Sequence, residues 1–264
     1  MTLPAANAVL LRSNDITADA VNVLRFAQIH GIIVGEVNGM KTLTRKKRMK
    51  KLIIFDLDGT LLNTTEAMKA CGNAALRKLG LSLLEGERYA RFSGADLDDF
   101  VSSVLSEAGD PSCRNADLFW RYYLAENEVL PKGLNVPYPG IPELLSELKK
   151  KGVFLAVLSN KDDSSCLPII REAFGDGVFD VVRGQRRAVP PKPDRAGVLE
   201  MLRDFSVSPR ECLYVGDTEV DMKTGKNAGV DTVAVLWGYR EKEELAAFSP
   251  EFFAAKPLDI LSIL

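Results

Sequence analysis

Histidine is almost missing from this chain of 264 residues, which contains a single one, His30. Because His30 lies in an N-terminal segment that does not resemble the rest of the chain, we assign it no catalytic role. Chemistry in the main body must therefore proceed without histidine. This excludes Ser-His-Asp and Cys-His mechanisms and most catalytic zinc sites, all of which depend on an imidazole.

Paired cysteines, long apolar runs and an excess of one charge are also lacking. The four cysteines, Cys71, Cys113, Cys166 and Cys212, are far apart and form no C-x-x-C motif, which is typical of reduced cytosolic thiols. No apolar run approaches the ~20 residues of a membrane span. The net charge of −2 gives no support for binding to nucleic acid or to an anionic membrane surface. We therefore expect a cytoplasmic protein with no nucleic-acid or membrane partner, and the oligomeric state stays open.

The most informative stretch of the sequence is a short apolar run that ends in two acids. The run Leu52–Phe55 is too short for a helix and predicts a buried, parallel strand. Asp56 and Asp58 follow it, and then Gly59 and Thr60. Ligands bind at the carboxyl ends of strands in an open α/β sheet. The two acids are therefore either a solvated Asp-Gly turn or a carboxylate nucleophile and a general acid/base beside a metal ion.

The first fifty residues differ from the rest of the chain. A helix that starts near Asp15 has only a ragged apolar face. The basic run at 45–48 follows the short apolar island at 31–35, whereas a secretory signal places its positive charge before a continuous apolar stretch. A solvated linker explains the basic run better than a polyanion-binding patch. A chain that began at Met49 would lead directly into the first strand. Our hypothesis is that residues 1–48 are an untranslated upstream reading or a loosely attached extension. An intact mass that includes them would remove the first option.

Residues 64 to about 137 have helical patterns and no β alternation. Apolar spacing and stop signals predict three helices, over 64–79, 97–108 and 115–130. We interpret this stretch as a small helical bundle inserted after the first strand. It either only adds core or closes as a lid that excludes water from a catalytic site. Arg91 is a candidate contact to an anionic substrate, although most surface arginines are merely solvated.

From residue 140 onward, predicted strands and helices alternate. This alternation predicts an α/β, Rossmann-like fold with a doubly wound parallel sheet. Polar groups follow three of the predicted strands: Asp56 with Asp58, Ser159 with Asn160, and Asp217 with Asp221. Because parallel strands place their carboxyl ends at one edge of the sheet, we expect these groups to converge.

Several acids at one edge need positive charge beside them. Two carboxylates ~4 Å apart repel by about 4 kcal/mol at an effective dielectric constant of ~20. A hard divalent ion such as Mg²⁺ prefers oxygen ligands. Lys192, which stands among prolines, would add a fixed cation. Together with a hydroxyl and an amide, this set suits a phosphoryl group, because it neutralises the oxygens and orients them for in-line attack.

These motifs, taken in order, resemble the haloacid-dehalogenase-like superfamily of phosphohydrolases. The resemblance covers residues 50–264 and rests on four motifs: Asp56-Leu57-Asp58-Gly59-Thr60, Ser159-Asn160, Lys192, and Gly216-Asp217-Thr218-Glu219-Val220-Asp221. The helical insert is similar to the small cap of the subfamily that contains the phosphoglycolate phosphatases. Asn63 is a departure, because many relatives carry aspartate there. We expect three parts: a poorly structured or spurious extension at 1–49, a phosphatase core at 50–63 and 139–264, and a helical cap at 64–138.

The resemblance implies roles for the acids. Asp56 would attack phosphorus and become an aspartyl phosphate. Asp58 would protonate the leaving oxygen and then take a proton from the attacking water. Mg²⁺ would bind the Asp56 carboxylate, the Asp58 backbone carbonyl and Asp217, and Asp221 would support it directly or through its water shell.

The resemblance also implies how the phosphate is held. Ser159 and the backbone amide of Asn160 would bind it, and Lys192 would screen the nucleophile and the transferring group. Thr60 and Arg91 are placed among the candidate substrate contacts.

The expected activity is Mg²⁺-dependent hydrolysis of a small phosphorylated metabolite, with 2-phosphoglycolate as the leading substrate. A pyrophosphatase or a nucleotidase of the same superfamily is the main alternative, because the machinery is shared and only cap contacts choose the substrate. A sugar phosphomutase is disfavoured because its relatives use a histidine from the cap hinge. A dehalogenase is disfavoured because Asp58, Asp217 and Asp221 resemble the metal-dependent enzymes. A non-catalytic binding protein on the same fold conflicts with the intact set of acids.

Overall fold

The computed structural model describes residues 11–12, 32–37, 40–45, 49–131 and 133–264. The chain forms two compact units, Met1–Met49 and Lys50–Leu264.

The described residues of the first unit form three antiparallel strands. They are β1 (Leu11–Arg12), β2 (Ile32–Val37) and β3 (Met40–Arg45), with β3 in the middle. The sequence analysis predicts no strand pairing in this segment. His30, the helix expected near Asp15 and most of the basic run, 46–48, lie outside the described residues.

The second unit is built on a six-stranded parallel sheet. The strands of this unit in chain order are β4 (Leu52–Phe55), β5 (Leu62–Asn63), β6 (Val136–Pro137), β7 (Phe154–Asp162), β8 (Val181–Gln185), β9 (Cys212–Gly216), β10 (Asp231–Val235) and β11 (Phe252–Ala254). Strands β5 and β6 form a separate pair outside the main sheet. The order across the main sheet is β11-β10-β9-β4-β7-β8, and every neighbouring pair is parallel. The prediction of a doubly wound, Rossmann-like α/β fold is therefore confirmed.

The described helices of this unit lie between the strands in sequence. They are α1 (Thr65–Leu79), α2 (Gly86–Phe92), α3 (Leu97–Ala108), α4 (Ala116–Glu128), α5 (Ile141–Lys150), α6 (Asp163–Phe174), α7 (Ala196–Asp204), α8 (Glu219–Ala228) and α9 (Lys242–Ala246). Within the described part of the chain, no helix is both long and apolar enough to span a membrane.

Strand β4 is apolar along its whole length because helices cover both faces of the sheet. Ile53 and Phe55 pack into the core that includes α5 and α6, whereas Leu52 and Ile54 pack into the core that includes α7. All four side chains are fully buried. A parallel strand that is buried on both faces needs this continuous apolar run instead of alternation.

Helices α1 to α4, which we call the helical insert, form a layer with a core of their own. Buried members of this core are Met68, Leu76, Tyr89, Val104, Leu105 and Phe119. The insert begins after β5 and ends before β6, and these two strands pair antiparallel, with Leu62 opposite Pro137. The chain therefore enters and leaves the insert through adjacent strands.

Local signals explain where the insert's helices begin and end. Gly80 ends α1 in the left-handed conformation, with a φ of 69°, which glycine adopts at no steric cost. The Asp96 side chain begins α3 by accepting a hydrogen bond from the amide of Asp99. The sequence analysis does not predict α2, because its 7 residues carry too few apolar positions to define a period.

Two strands of the sheet differ from the expectation. The mostly apolar run 178–182 predicts a strand from Val178, but β8 begins only at Val181, and Val178 and Phe179 pack against the core from the segment before it. Strand β11 is missed by the sequence analysis. It has only 3 residues, and the first two of its side chains are exposed, so it shows neither alternation nor a buried run.

Candidate active site

The register of the sheet brings three polar strand ends together. Phe55, the last residue of β4, lies opposite Val157 on β7 and opposite Val215 on β9. The first polar group follows within two residues of each of these positions, as Asp56, Ser159 and Asp217. The convergence expected from the sequence is therefore present in the geometry of the central three strands.

Lys192 lies between two buried carboxylates. Its Nζ is 2.7 Å from Asp56 Oδ1 and 2.7 Å from Asp221 Oδ1. All three side chains are at most 4% exposed. Burial alone would lower the pKa of the Lys192 ammonium, but the charges of Asp221 and Asp56 outweigh it and raise that pKa well above its ordinary value.

A third carboxylate completes the cluster. Oxygen atoms of Asp56, Asp217 and Asp221 all lie within 4.8 Å of one another. Burial, followed by the charge of Asp221, raises the pKa of Asp56 well above its ordinary value, although Lys192 opposes the shift. Burial and then the charge of Asp221 also raise the pKa of Asp217, to about 7. One lysine therefore does not compensate the charge of three acids.

Asp217 is held by hydrogen bonds to both of its oxygens. The Thr60 hydroxyl donates to Oδ1 at 2.9 Å, and the backbone amide of Tyr239 donates to Oδ2 at 2.8 Å. Gly59 and Gly238 make this close approach possible. A Cβ atom at either position would lie 2.3 Å from an atom of the Asp217 side chain.

The donor set of the cluster fits a hard divalent cation. Three carboxylates offer oxygen ligands within a small space, and the ligand type matches the preference of such ions. The hydrogen bonds to Asp217 fix the orientation of that side chain. The Thr218 amide (3.0 Å) and hydroxyl (2.7 Å) both donate to Asp221 Oδ2 and fix the orientation of Asp221 in the same way. A bound cation would also offset the repulsion that, after burial, raises the pKa values of Asp56 and Asp217.

Asp58 forms an ion pair that the sequence analysis does not predict. Lys161 Nζ is 3.0 Å from Asp58 Oδ1 and 3.2 Å from Oδ2. Burial would lower the pKa of the Lys161 ammonium, but the charge of Asp58 more than offsets this, and the pKa lies above its ordinary value. One signal could have found Lys161. It lies two residues after Ser159 on β7, so the two side chains point to the same side of the strand.

The Asn160 side chain positions the backbone of Lys192. Its Oδ1 accepts a hydrogen bond from the Lys192 amide at 2.8 Å, and its Nδ2 donates to the Lys192 carbonyl at 2.9 Å. The same Nδ2 donates to the carbonyl of Gly94 at 3.1 Å, at the end of the linker after α2. Asn160 therefore connects the end of β7, the backbone of Lys192 and the helical insert.

A cavity lies between the strand ends and the insert. The sheet side contributes Asp56, Asp58, Ser159, Asn160, Lys161, Asp162, Ser165 and Lys192. The insert side contributes mostly apolar groups: Met68, Phe92, Leu97, Phe100, Trp120 and Tyr123, with Ser93, Gly94, Ala95 and Asn127. The space that can hold water molecules is about 50 Å³, which is enough for a few of them.

Two of the expected substrate contacts do not line this cavity. The Arg91 side chain is 56% exposed and pairs with Glu244 on the surface at 2.6 Å. Thr60 is fully buried, and its hydroxyl is bonded to Asp217. Arg91 therefore lies outside the cavity in this structure, and the Thr60 hydroxyl contacts a carboxylate. Their role as substrate contacts stays a prediction. Sequence alone does not tell which way a side chain on a two-turn helix points.

Arg240 joins the sheet to the end of α2. Its guanidinium donates to the carbonyls of Ala90 (3.3 Å), Arg91 (3.0 Å) and Ser93 (3.1 Å), and it pairs with Glu219 at 3.1 Å. It is only 7% exposed. A cation at a helix C-terminus satisfies the last carbonyls and the negative end of the helix dipole. Arg240 therefore holds the insert against the sheet edge.

Residues 53–235 match the family model of the haloacid dehalogenase-like hydrolases. Since this match covers more than half of the chain, the protein belongs to that family. It is 31% identical to the phosphoglycolate phosphatase of Aquifex aeolicus over 81% of this chain and 96% of the relative. It is 30% identical to the phosphoglycolate phosphatase of Pseudomonas syringae pv. tomato over 77% of this chain and 75% of the relative.

A solved structure shows the same architecture. The crystal structure of a predicted phosphoglycolate phosphatase from Haemophilus somnus superimposes with a TM-score of 0.74 at 27% identity, covering 81% of this chain and 97% of that chain. The family and these relatives identify the protein as a phosphatase, an enzyme that takes a small phosphorylated substrate. Phosphatases of this family generally use a divalent metal, and the three acids of the cluster could hold one. The resemblance noted from the four motifs is thereby confirmed.

Proposed function

We propose that this protein is a Mg²⁺-dependent phosphomonoesterase that works through an aspartyl phosphate on Asp56, with 2-phosphoglycolate as its leading substrate. The observation that carries the proposal is the arrangement around Lys192. Its ammonium bridges two carboxylates at the edge of a cavity, and a third acid, Asp58, faces the same cavity. This arrangement provides a nucleophile, a fixed cation and a separate proton donor.

In the first step, the Asp56 carboxylate attacks phosphorus and the leaving oxygen departs. Lys192 keeps the carboxylate in place and neutralises charge on the transferring group. The Ser159 oxygen already accepts a hydrogen bond from the Lys161 amide at 3.1 Å, so its own proton is available to donate to a phosphoryl oxygen. Asp58 gives a proton to the leaving oxygen and later takes one from the water that hydrolyses the aspartyl phosphate.

Asp56, Asp217 and the Asp58 backbone carbonyl would hold the Mg²⁺, with Asp221 in support. When bound, the ion supplies positive charge that neutralises phosphoryl oxygens and relieves the repulsion among the acids. Asp56 and Asp217 are buried, and their pKa values are raised. This is expected of acids in a cation site that holds no cation.

Metal binding should stabilise the protein more at high pH than at low pH. The pKa of Asp217 is raised to about 7, so between its ordinary value and 7 the native state binds more protons than the unfolded state. The metal-free protein therefore loses stability as pH rises through this window. Mg²⁺ replaces those protons, and at about 100 times its Kd it should add about 2.7 kcal/mol to the free energy of unfolding.

Thermal unfolding with and without Mg²⁺ at pH ~5 and pH ~8 measures this difference in stabilisation. An equal shift at both pH values, or an unchanged shift in Asp217→Asn, would contradict it.

The helical insert is proposed to act as a lid over the cavity, and Arg240 as the group that keeps it closed. Arg240→Met removes the donors to three carbonyls of the α2 terminus, so it should lower the free energy of local opening by about 2 kcal/mol. Hydrogen exchange of the α2 amides should accelerate accordingly. The control is Arg195→Met, because Arg195 is exposed. Equal exchange in both variants would remove Arg240 from this role.

The choice of 2-phosphoglycolate as the leading substrate is supported by the names of the relatives. Pyrophosphate is the second candidate, because two lysines, Lys161 and Lys192, face one cavity. A cytoplasmic location stays a prediction, and it is supported by the four cysteines, all of which are free thiols.

The proposal is tested by phosphate release from a panel that contains 2-phosphoglycolate, pyrophosphate and a nucleoside monophosphate, each with Mg²⁺ and with chelator. We expect Mg²⁺-dependent release that is fastest for 2-phosphoglycolate. Preferred hydrolysis of pyrophosphate or of the nucleotide would replace the substrate assignment. No metal-dependent release from any member of the panel would contradict the enzymatic mechanism itself.

A further inference from the structure

We propose that Lys161 is the residue that recognises the substrate's carboxylate and so selects phosphorylated hydroxy acids over uncharged phosphate esters. This inference rests on the proposed function, because it takes Asp58 as the proton donor to the leaving oxygen. The mechanism above uses the side chains of Asp56, Asp58, Ser159 and Lys192 and leaves the Lys161 ammonium without a task.

Lys161 is placed where the group beyond the leaving oxygen must lie. Its Nζ is within 3.2 Å of both Asp58 oxygens, and its side chain is only 13% exposed. A leaving oxygen that accepts a proton from Asp58 is therefore a short distance from the Lys161 ammonium. In 2-phosphoglycolate a single methylene separates that oxygen from the carboxylate, so binding at the phosphoryl site brings the carboxylate to the lysine.

The ammonium has the donors for this contact. A lysine carries three N–H groups and no acceptor. Two of them account for the contacts with Asp58, and the third is available to a carboxylate oxygen. A charge-assisted hydrogen bond of this kind is about twice as strong as a neutral one.

The rest of the cavity offers no other cation for this purpose. Among the described residues that line it, the only cations are Lys161 and Lys192. Lys192 is already bonded to Asp56 and Asp221 at 2.7 Å each. The insert side contributes apolar and neutral polar groups, and Arg91 lies outside on the surface. A carboxylate that is buried here without a partner would be strongly unfavourable, and Lys161 is the partner that the site supplies.

The test compares two esters with similar leaving groups in the wild type, Lys161→Met and Lys161→Arg. The esters are 2-phosphoglycolate and 2-hydroxyethyl phosphate, which differ in the carboxylate. Both leaving alkoxides need the Asp58 proton, so any effect of Lys161 on Asp58 lowers both rates and cancels in their ratio. We expect the ratio of kcat/KM values to favour 2-phosphoglycolate in the wild type and to fall about 10- to 100-fold in Lys161→Met. Lys161→Arg, which keeps the charge, should retain part of the preference.

A binding measurement gives a second readout that needs no turnover. In an Asp56→Asn background with Mg²⁺, the Kd of 2-phosphoglycolate should rise about 10- to 100-fold when Lys161→Met is added. The Kd of inorganic phosphate should rise much less, because phosphate has no carboxylate.

Several results would overturn the inference. Equal losses on both esters in Lys161→Met would show that Lys161 acts only through Asp58, and the phosphatase mechanism would stand without it. A wild type that prefers pyrophosphate, with that preference lost in Lys161→Met, would assign the lysine to a second phosphoryl group instead. A wild type that releases no phosphate from any ester would overturn the proposed function and this inference together, a result that differs from the other two.

Discussion

Replacement of Asp56 by asparagine should lower phosphate release by about 10³-fold or more, because an amide cannot form the aspartyl phosphate. The variant should still fold, since asparagine has the same shape and its amide oxygen can accept the hydrogen bond from Lys192. Burial raises the pKa of Asp56, so the native state also loses a carboxylate that is costly to keep charged. Initial rates with saturating Mg²⁺ and circular dichroism of the same preparation measure the two expectations.

A matched control is Asp98→Asn, because Asp98 is an exposed acid in the first turn of α3. Its rate should equal that of the wild type. Substantial residual turnover by Asp56→Asn, above what traces of wild-type protein explain, would exclude Asp56 as the nucleophile.

Loss of the Lys192 charge should affect both activity and stability. In Lys192→Met, two buried carboxylates lose the cation that bridges them, and we expect a fall in kcat of about 10²- to 10³-fold. The free energy of unfolding should fall by about 3–5 kcal/mol, because the removal of one partner leaves buried charge unpaired. Added Mg²⁺ should restore part of the stability, because it supplies positive charge beside the acids. It should not restore the rate, because it does not replace the contact of the Lys192 ammonium with the phosphoryl group.

Chemical denaturation in the presence and absence of Mg²⁺ measures the stability change, and Lys151→Met is the control, because Lys151 is exposed. If Lys192→Met retains wild-type kcat, the lysine has only a structural role. If Lys192→Met loses activity without any loss of stability, another group compensates the charges of Asp56 and Asp221.

The parallel sheet and the convergence of the polar residues at its strand ends could both be predicted from the sequence. A parallel strand that is covered on both faces must be apolar throughout, so β4 is conspicuous, and the acids that follow it interrupt that run abruptly. The topology then brings the neighbouring strand ends to the same edge. Asp56, Asp217 and Asp221 therefore meet by backbone geometry alone, and local sequence signals suffice to place them.

Contacts between separate elements could not be predicted in this way. Arg240 reaches three carbonyls at the end of α2 across a gap in sequence of about 150 residues, and nothing in the local pattern of either segment indicates it. The sequence offers Arg91 as a candidate contact to an anionic substrate, but the orientation of α2 directs its side chain to Glu244. Such pairings depend on how the insert packs against the sheet, which local periodicity does not determine.

The most direct test of the central claim is to trap the covalent intermediate on Asp56. The enzyme is quenched during turnover of 2-phosphoglycolate with Mg²⁺ and treated with borohydride, which reduces an acyl phosphate to an alcohol. The account predicts a peptide in which residue 56 has become homoserine, present only when substrate and Mg²⁺ were both supplied. Steady turnover with an unmodified Asp56, or with the modification at another acid, would contradict it.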